Sequence, residues 1–460
     1  MSRRHLKILL GCFLAAFCLV TKAELNIEIT QGIIGAVPIA VPPFKVESYA
    51  PNGLKRTSED IAEIVAHDLL TSGRFRPLLR SELPRHTSSF QGVDALSWQS
   101  LEVENLVLGL VKETSPNQYT VSFKLFDVFG SPSKTAGTPT PDAGGATKSQ
   151  SGYLLTTKTY NNVRSEDFRA LAHHISDVIF EKLTNIRGAF STRLAYVLVQ
   201  KGPRGLQYIL EISDVDGHNP QELVRSKEPI MSPAWSLDGK RLAFVSFEKK
   251  RAEIYAIDVR TGKRALISKF PGINGAPSWS PDGRKLAVVL SKDGSPKIYL
   301  YDIQSKVLTQ VTRGFSIDTE PVFEPSGRSL LFTSNRGGKP QIYRIYLQSG
   351  STGRVTFVGE YNARPRLTQD GKYLVIIHRG HDGLFCIARQ ELSTGEVTYL
   401  THSTFDDSPS VSPNGAMVLY GTLFNNRRML GVVSIDGRAK MRLPAREGSV
   451  QEPAWSPYLS

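Results

Sequence analysis

The reactive side chains of this 460-residue chain are nine histidines, three cysteines and a few adjoining carboxylates. Their spacing fits no reaction. A G-x-S-x-G nucleophile turn, an H-E-x-x-H pair, a C-x-x-C pair and both glycine-rich phosphate loops are absent from the sequence. That removes the usual signatures of serine hydrolases, zinc peptidases and nucleotide-binding enzymes. His173-His174 falls in a helical pattern, where neighbouring side chains point about 100° apart and cannot close on one ion. Both are read as surface or half-buried groups, and no metal or cofactor is expected. Asp406-Asp407 could serve glycoside cleavage, but adjoining carboxylates on an exposed rim are ordinarily just solvated. Cys386 lies in an apolar run, Leu384-Phe385-Cys386-Ile387, as a small core residue does. The residues give no catalytic constellation, so the chain is read as a protein that is not an enzyme.

Elements to position a site are abundant. Six prolines, at 233, 277, 321, 365, 409 and 453, stand 44 residues apart, each opening a version of "PSWSPDGRKLAVVLS". Asp238-Gly239, Asp282-Gly283, Asp370-Gly371 and Asn414-Gly415 read as two-residue hairpin turns, with Ser326-Gly327 a weaker version. An apolar strand follows each turn, then strands such as "EIYAIDV" and "RALIS". About four antiparallel strands per 44 residues is the content of a propeller blade. The sixth copy stops after one strand, while Arg193 to Val197 matches Arg241 to Val245 of the first full copy. Pairing the C-terminal strand with residues 193–217 closes a six-bladed ring, whereas an open solenoid would leave unprotected edges.

A ring has a mouth. The residues just before each proline should circle one rim, and they include Thr319-Glu320, Ala363-Arg364, Asp407-Ser408 and Gln451-Glu452. Asp318, Glu320, Asp406, Asp407 and Glu452 make that rim acidic around Arg364. It is read as a docking mouth for another protein.

From Glu24 to Gly188 the pattern alternates strand and helix. "LNIEIT" and "AVPIAVPPF" read as strands, and Thr57 with Asp60 reads as a capping box opening a helix. "NLVLGLVKE", "QYTVSFKLFDV" and "YLLTTKTY" read as further strands, and Ser165 as the cap of a second helix. Residues 131–152, rich in Ser, Thr, Pro, Gly and Ala, read as an exposed loop. The domains are thus a leader (1–23), an α/β amino-terminal domain (24–188) and an all-β six-bladed β-propeller (189–460).

The leader has a basic start (Arg3, Arg4, Lys7), an apolar run from Ile8 to Val20, and Ala23 at its end. That is a secretory signal peptide cleaved after Ala23, too short to span a bilayer. Leu9-Leu10-Gly11-Cys12 has the shape of a lipoprotein cleavage site but leaves too few apolar residues before the cut. Cys12 and Cys18 leave with the leader, so no internal disulfide can form. The leader carries four basic residues and no acidic one, so its removal takes the net charge from +13 to +9. The charge is spread without Lys or Arg blocks, which speaks against nucleic-acid binding.

The repeats "SWSPDGRKLA" and "TEPVF", the ending "RLPAREGSVQEPAWSPYL", and "EDIAEIVAHDLLTSGRFRPL" with "VIFEKLTNIRGAFSTRLAYV" in the amino-terminal part resemble the TolB family, periplasmic propellers of the Tol–Pal cell-envelope system. The resemblance covers almost the whole mature chain. It implies a periplasmic adaptor, peripheral to membranes, that binds the peptidoglycan-associated lipoprotein at the propeller mouth. It also implies contact with TolA and other Tol proteins, supporting envelope integrity and cell division. By motif, Ile273, Asn274, Gly275, Ala276, Thr319 and Glu320 fall at the lipoprotein contact, with Arg364 beside them on the rim; Ile273 stands where the family usually has His. The TolA-binding segment falls on Glu24, Leu25, Asn26, Ile27, Glu28, Ile29 and Thr30, whose alternation suits strand addition. A periplasmic propeller that binds or cleaves a small glycan or peptide in its channel is the alternative.

Overall fold

The computed structural model describes residues 28–31, 35–47, 51–84, 90, 93–130, 152–203, 205–380, 383–403, 405–443 and 447–459, with side chains from residue 35 on except 51–59. The leader, its cleavage site, Glu24 to Ile27 and nearly all of the 131–152 loop lie outside them. No helix among the described residues is long and apolar enough to cross a membrane.

The amino-terminal domain is built on a six-stranded sheet. Its order is Phe75–Pro77, Val37–Ala40, Asn105–Ser115, Gln118–Asp127 and Tyr153–Val163, with Lys45–Glu47 also pairing with Asn105–Ser115. The pairings of Val37–Ala40 are parallel and those of Gln118–Asp127 antiparallel. Side chains alternate across the central strand as its period of two demands. Val107 and Val111 join Ile61, Val65, Leu69, Ile175 and Ile179 of two helices, α1 (Pro51–Thr71) and α3 (Phe168–Thr184). Leu106 and Leu108 face the other way, onto Val103 and Trp98 of the short α2 (Ala95–Gln99). Gly109 sits where any Cβ would overlap the Phe44 ring, so the aromatic packs flat on bare backbone.

Both helix starts differ from the sequence expectation. α1 begins at Pro51, six residues before Thr57; proline suits a first helical turn, where its missing N–H bonds nothing anyway. Ser165 opens a 3₁₀ turn, and its N–H and Oγ donate to Asn117 Oδ1 at 3.2 and 2.6 Å. It ties α3 to the neighbouring hairpin instead of capping it.

The propeller has five complete four-stranded blades, with inner strands Ile230–Trp235, Asn274–Trp279, Asp318–Phe323, Tyr361–Leu367 and Asp407–Val411. The sixth blade is shared by the two ends of the domain. Ser449–Trp455 pairs antiparallel with Arg193–Gly202, Ala454 opposite Ala195, the register Ala234 and Ala243 adopt in blade one. Blades pack face to face through apolar clusters such as Leu242 and Phe244 against Val197, Leu210 and Ile212. Indoles add a directional link. Trp235 Nε1 donates to Ala454 O and Trp279 Nε1 to Ala234 O, both at 3.1 Å and both reaching into the preceding blade.

The Asp-Gly turns are longer than two-residue hairpins. Ser236 N–H donates to Arg241 O, leaving four residues in the loop, and Gly239 N–H donates to Ser236 O. Only Gly239 has positive φ (66°), whereas a two-residue turn of that kind needs two such residues. Ser236 Oγ binds Asp238 Oδ1 at 2.5 Å and accepts from Arg241 N at 2.9 Å, so the side chains hold the longer loop.

Among the described residues, blade five alone carries a fifth strand. Glu28–Gln31 adds antiparallel to its outer strand, Lys440–Leu443. The first strand read from sequence thus leaves the α/β domain and joins the propeller.

Candidate functional site

Proline has no N–H to give a strand ladder, and every inner strand breaks register at its repeated proline. The residue before each proline takes a left-handed conformation: Ser232, Ala276, Glu320, Arg364, Ser408 and Glu452 have φ between 45° and 53°. Such backbone costs on the order of 1–3 kcal/mol per non-glycine residue, and the packed blades hold it. The bulge brings these positions together in the channel. Arg364 Nε donates to Glu320 Oε1 at 2.8 Å and its backbone N–H to Glu320 Oε2 at 2.9 Å. Arg364 Nη1 reaches Ser408 Oγ and lies 3.8 Å from Glu452 Oε1. Glu452 Oε2 in turn accepts from Ser232 N–H at 3.0 Å. One network therefore links five blades across the channel. Burial works against the Arg364 charge, but Glu452, Glu320 and Asp407 outweigh it and hold its pKa above the ordinary value.

The position three before each proline turns the other way. Asn274, Asp318, Asn362 and Asp406 are all buried. Asn274 Nδ2 donates to Phe270 O at 2.6 Å and its Oδ1 accepts from Phe270 N–H at 3.0 Å, so it shapes its own loop instead of facing outward. Burial pushes the Asp318 carboxyl up, but bonds from Ser334 (2.6 Å) and Arg336 (3.0 Å), with the charges of Arg336 and Lys297, bring it below its usual range. Asp406 is raised by burial despite hydrogen bonds such as that from Thr422 (2.6 Å). The acidic rim read from sequence thus shrinks to Glu320, Asp407 and Glu452.

Around this mouth the loops between blades expose apolar side chains. Ile273 is 48% exposed, Phe357 71% and Phe405 62%, while Phe270 and Ile317 are also exposed and Phe315 is fully so. The loops are firmly based: Ile273 N–H donates to Ser291 Oγ and Ile317 N–H to Asn335 Oδ1, both at 2.7 Å. Gly275, Ala276 and Thr319 lie half-buried between this apolar crown and the channel. Phe315, Phe357 and Phe405 were not singled out from the sequence. The signal that could have found them is an aromatic recurring four to eight residues before the repeated prolines.

The amino-terminal domain docks on the opposite face. Inner strands run from the mouth to the Asp-Gly turns, and the blade-five turn meets the other domain through Asn414 Nδ2, which donates to Arg187 O at 3.0 Å. Arg169 of α3 pairs with Asp214 and Asp216 of blade six. His173, read as a surface or half-buried residue, is buried there at 3% exposure, its Nδ1 2.8 Å from Asp68 Oδ2. The described residues of the amino-terminal domain leave the mouth clear. Of the proposed amino-terminal segment, Glu28, Ile29 and Thr30 lie in the strand on blade five, far in sequence from the channel residues.

Two family models match the chain: the TolB amino-terminal domain over residues 25–133 and the TolB beta propeller domain over 180–459. The chain is 50% identical over the full length of both sequences to the Tol-Pal system protein TolB of Coxiella burnetii. It is 52% identical to that of Legionella pneumophila (strain Corby), over 95% of this chain and 96% of the relative. The crystal structure of TolB from Acinetobacter baumannii superposes with a TM-score of 0.82 at 37% identity, covering 95% of this chain and all of that one.

Proposed function

The chain belongs to the TolB family, and from that premise we propose that it is a non-enzymatic adaptor of the Tol–Pal system in the periplasm. Its leader (1–23) is removed on export, its amino-terminal domain spans 24–188 and its propeller 189–460. The peptidoglycan-associated lipoprotein docks at the propeller mouth. The observation that carries this reading is the apolar crown of Ile273, Phe315, Ile317, Phe357 and Phe405 around a rigid polar network at Glu320 and Arg364. Apolar anchors beside fixed charged groups, on a face that the described residues of the other domain leave free, suit a protein partner better than a small ligand.

TolA is engaged by residues 24–30. Glu28–Gln31 is a four-residue edge strand, short enough to exchange between blade five and a partner's sheet by strand addition. Lipoprotein binding at the mouth biases that exchange, so the two partners are thermodynamically linked.

The test is calorimetric titration of residues 24–460 with the peptidoglycan-associated lipoprotein of the same organism, with Glu320→Ala and Arg364→Ala beside it. Saturable binding weakened by either substitution supports the adaptor. A well-folded protein that does not bind would sink it and leave a channel ligand as the better reading.

A further inference from the structure

The joint between the two domains contains a group that protein contacts do not complete. His173 on α3 is oriented by Asp68 of α1, whose carboxylate takes Nδ1 at 2.8 Å. Its other nitrogen, Nε2, is buried and has no hydrogen-bond partner. It points at Asp216 of the blade-six turn, whose Oδ2 lies 3.8 Å away. Asp214 stands beside it, and one donor atom from each of His173, Asp214 and Asp216 lies within 4.8 Å of the others. A carboxylate holding Nδ1 so that Nε2 faces an acidic pocket is the arrangement found behind metal-ligating histidines.

We propose that His173, Asp214 and Asp216 form a binding site for a divalent transition metal of the Zn²⁺ class, clasping α3 to blade six. Imidazole nitrogen with two carboxylates suits that class, and three protein ligands leave a fourth position for water. Tetrahedral ligands about 2.1 Å from zinc stand about 3.4 Å apart, so small side-chain rotations close the observed separations. Asp216 and His173 are buried while Asp214 is half-buried, which leaves an approach from solvent past Asp214.

Arg169 is the resident cation of this pocket. Its Nε donates to Asp214 Oδ2 at 3.2 Å and its Nη2 reaches Asp216 Oδ2, yet its side chain keeps 23% exposure and can swing outward. Metal and guanidinium therefore compete for the same carboxylates. A proton on Nε2 is a second competitor. Burial depresses the imidazole, but Asp68 and Asp216 outweigh burial and the Arg169 charge and raise it to about 9. Asp68, Asp214, Asp216 and Arg169 are the charged groups facing it from the packed elements.

The test uses untagged residues 24–460 at one fixed pH, titrated with Zn²⁺ by competition against a chromophoric chelator and with Co²⁺ by visible absorption. One equivalent should bind, with the intense bands of tetrahedral cobalt. Asp68→Asn should weaken binding about 10- to 100-fold through lost orientation of the imidazole, and His173→Gln should weaken it further. Arg169→Gln should tighten binding, a gain that no damaged fold imitates. The proposal is overturned if neither the wild type nor Arg169→Gln binds one equivalent. It is equally overturned if a folded His173→Gln, checked by circular dichroism, binds as the wild type does.

Discussion

Replacing Arg364 by alanine tests whether the channel network is one interacting unit. The substitution removes the hydrogen bond to Glu320 (2.8 Å) and the approach to Glu452 (3.8 Å), so both carboxylates lose their nearest cation. Breaking a fully buried pair costs about 3–5 kcal/mol. Here Arg364 and Glu320 keep 27% and 21% of their side-chain surface, and solvent screening brings the cost to about 2 kcal/mol. With a denaturant slope of about 4 kcal/mol/M for a chain this long, the urea midpoint should fall by about 0.5 M. Backbone geometry supplies a control. Arg364 has φ of 53°, so Arg364→Gly should recover about 1 kcal/mol relative to Arg364→Ala by relieving left-handed strain. Urea unfolding followed by tryptophan fluorescence reads all variants, including Glu320→Gln and the double substitution Glu320→Gln/Arg364→Ala. The double variant should be less destabilised than the sum of the singles by about 1 kcal/mol or more. Strict additivity would refute the network. So would an Arg364→Gly variant no more stable than Arg364→Ala, because the strain argument would then fail.

Three further outcomes follow from the same geometry. Phe315→Ser, Phe357→Ser and Phe405→Ser should each weaken lipoprotein binding about 5- to 30-fold in calorimetry without moving the melting temperature, since their rings are exposed. Gly109→Ala should destabilise by about 1–3 kcal/mol in chemical denaturation because its methyl meets the Phe44 ring, and Phe44→Leu should recover part of the loss. Asp318 and Asp406, equivalent positions two blades apart, should have opposite pH signatures. Asp318 titrates below its unfolded value of about 3.9, so its stabilisation is complete above that pH and fades as acid carries it through the folded pKa. Asp406 titrates above its unfolded value, so its ionisation opposes folding as pH rises through the folded pKa. Asp318→Asn should therefore flatten the acid limb of the stability profile, and Asp406→Asn should raise stability at neutral pH.

The ring was legible in the sequence because its signals are local and repeated. A 44-residue period, turn glycines and part of one blade at each end of the repeat state the strand order and the closure without any long-range information. The mouth was legible as a place and less so as chemistry. Asp318 and Glu320 stand two residues apart, on the same face of a regular strand; the left-handed bulge at Glu320 separates them, and no residue type announces a left-handed Glu or Arg. Burial of Asn274 and Asp406 was hidden for a related reason: a polar residue at a loop end reads as solvated until its partners are known. The pairing of His173 with Asp216 depends on the docking of two domains, and the sequence contains no local trace of it. Adjacent His173 and His174 drew attention to each other when the partner that matters lies in the propeller.

The split sixth blade also orders events in time. Arg193 N–H donates to Ser456 Oγ across 263 residues of sequence, so the strand edge of Arg193–Gly202 is made early and its partner arrives almost last. Until the final residues emerge, that edge stands open to any passing strand, and closure waits on a contact of very high sequence separation, the slow kind. A polypeptide delivered N-terminus first would pass through a long-lived incomplete ring, and loss of the Ser449–Trp455 strand would leave it there.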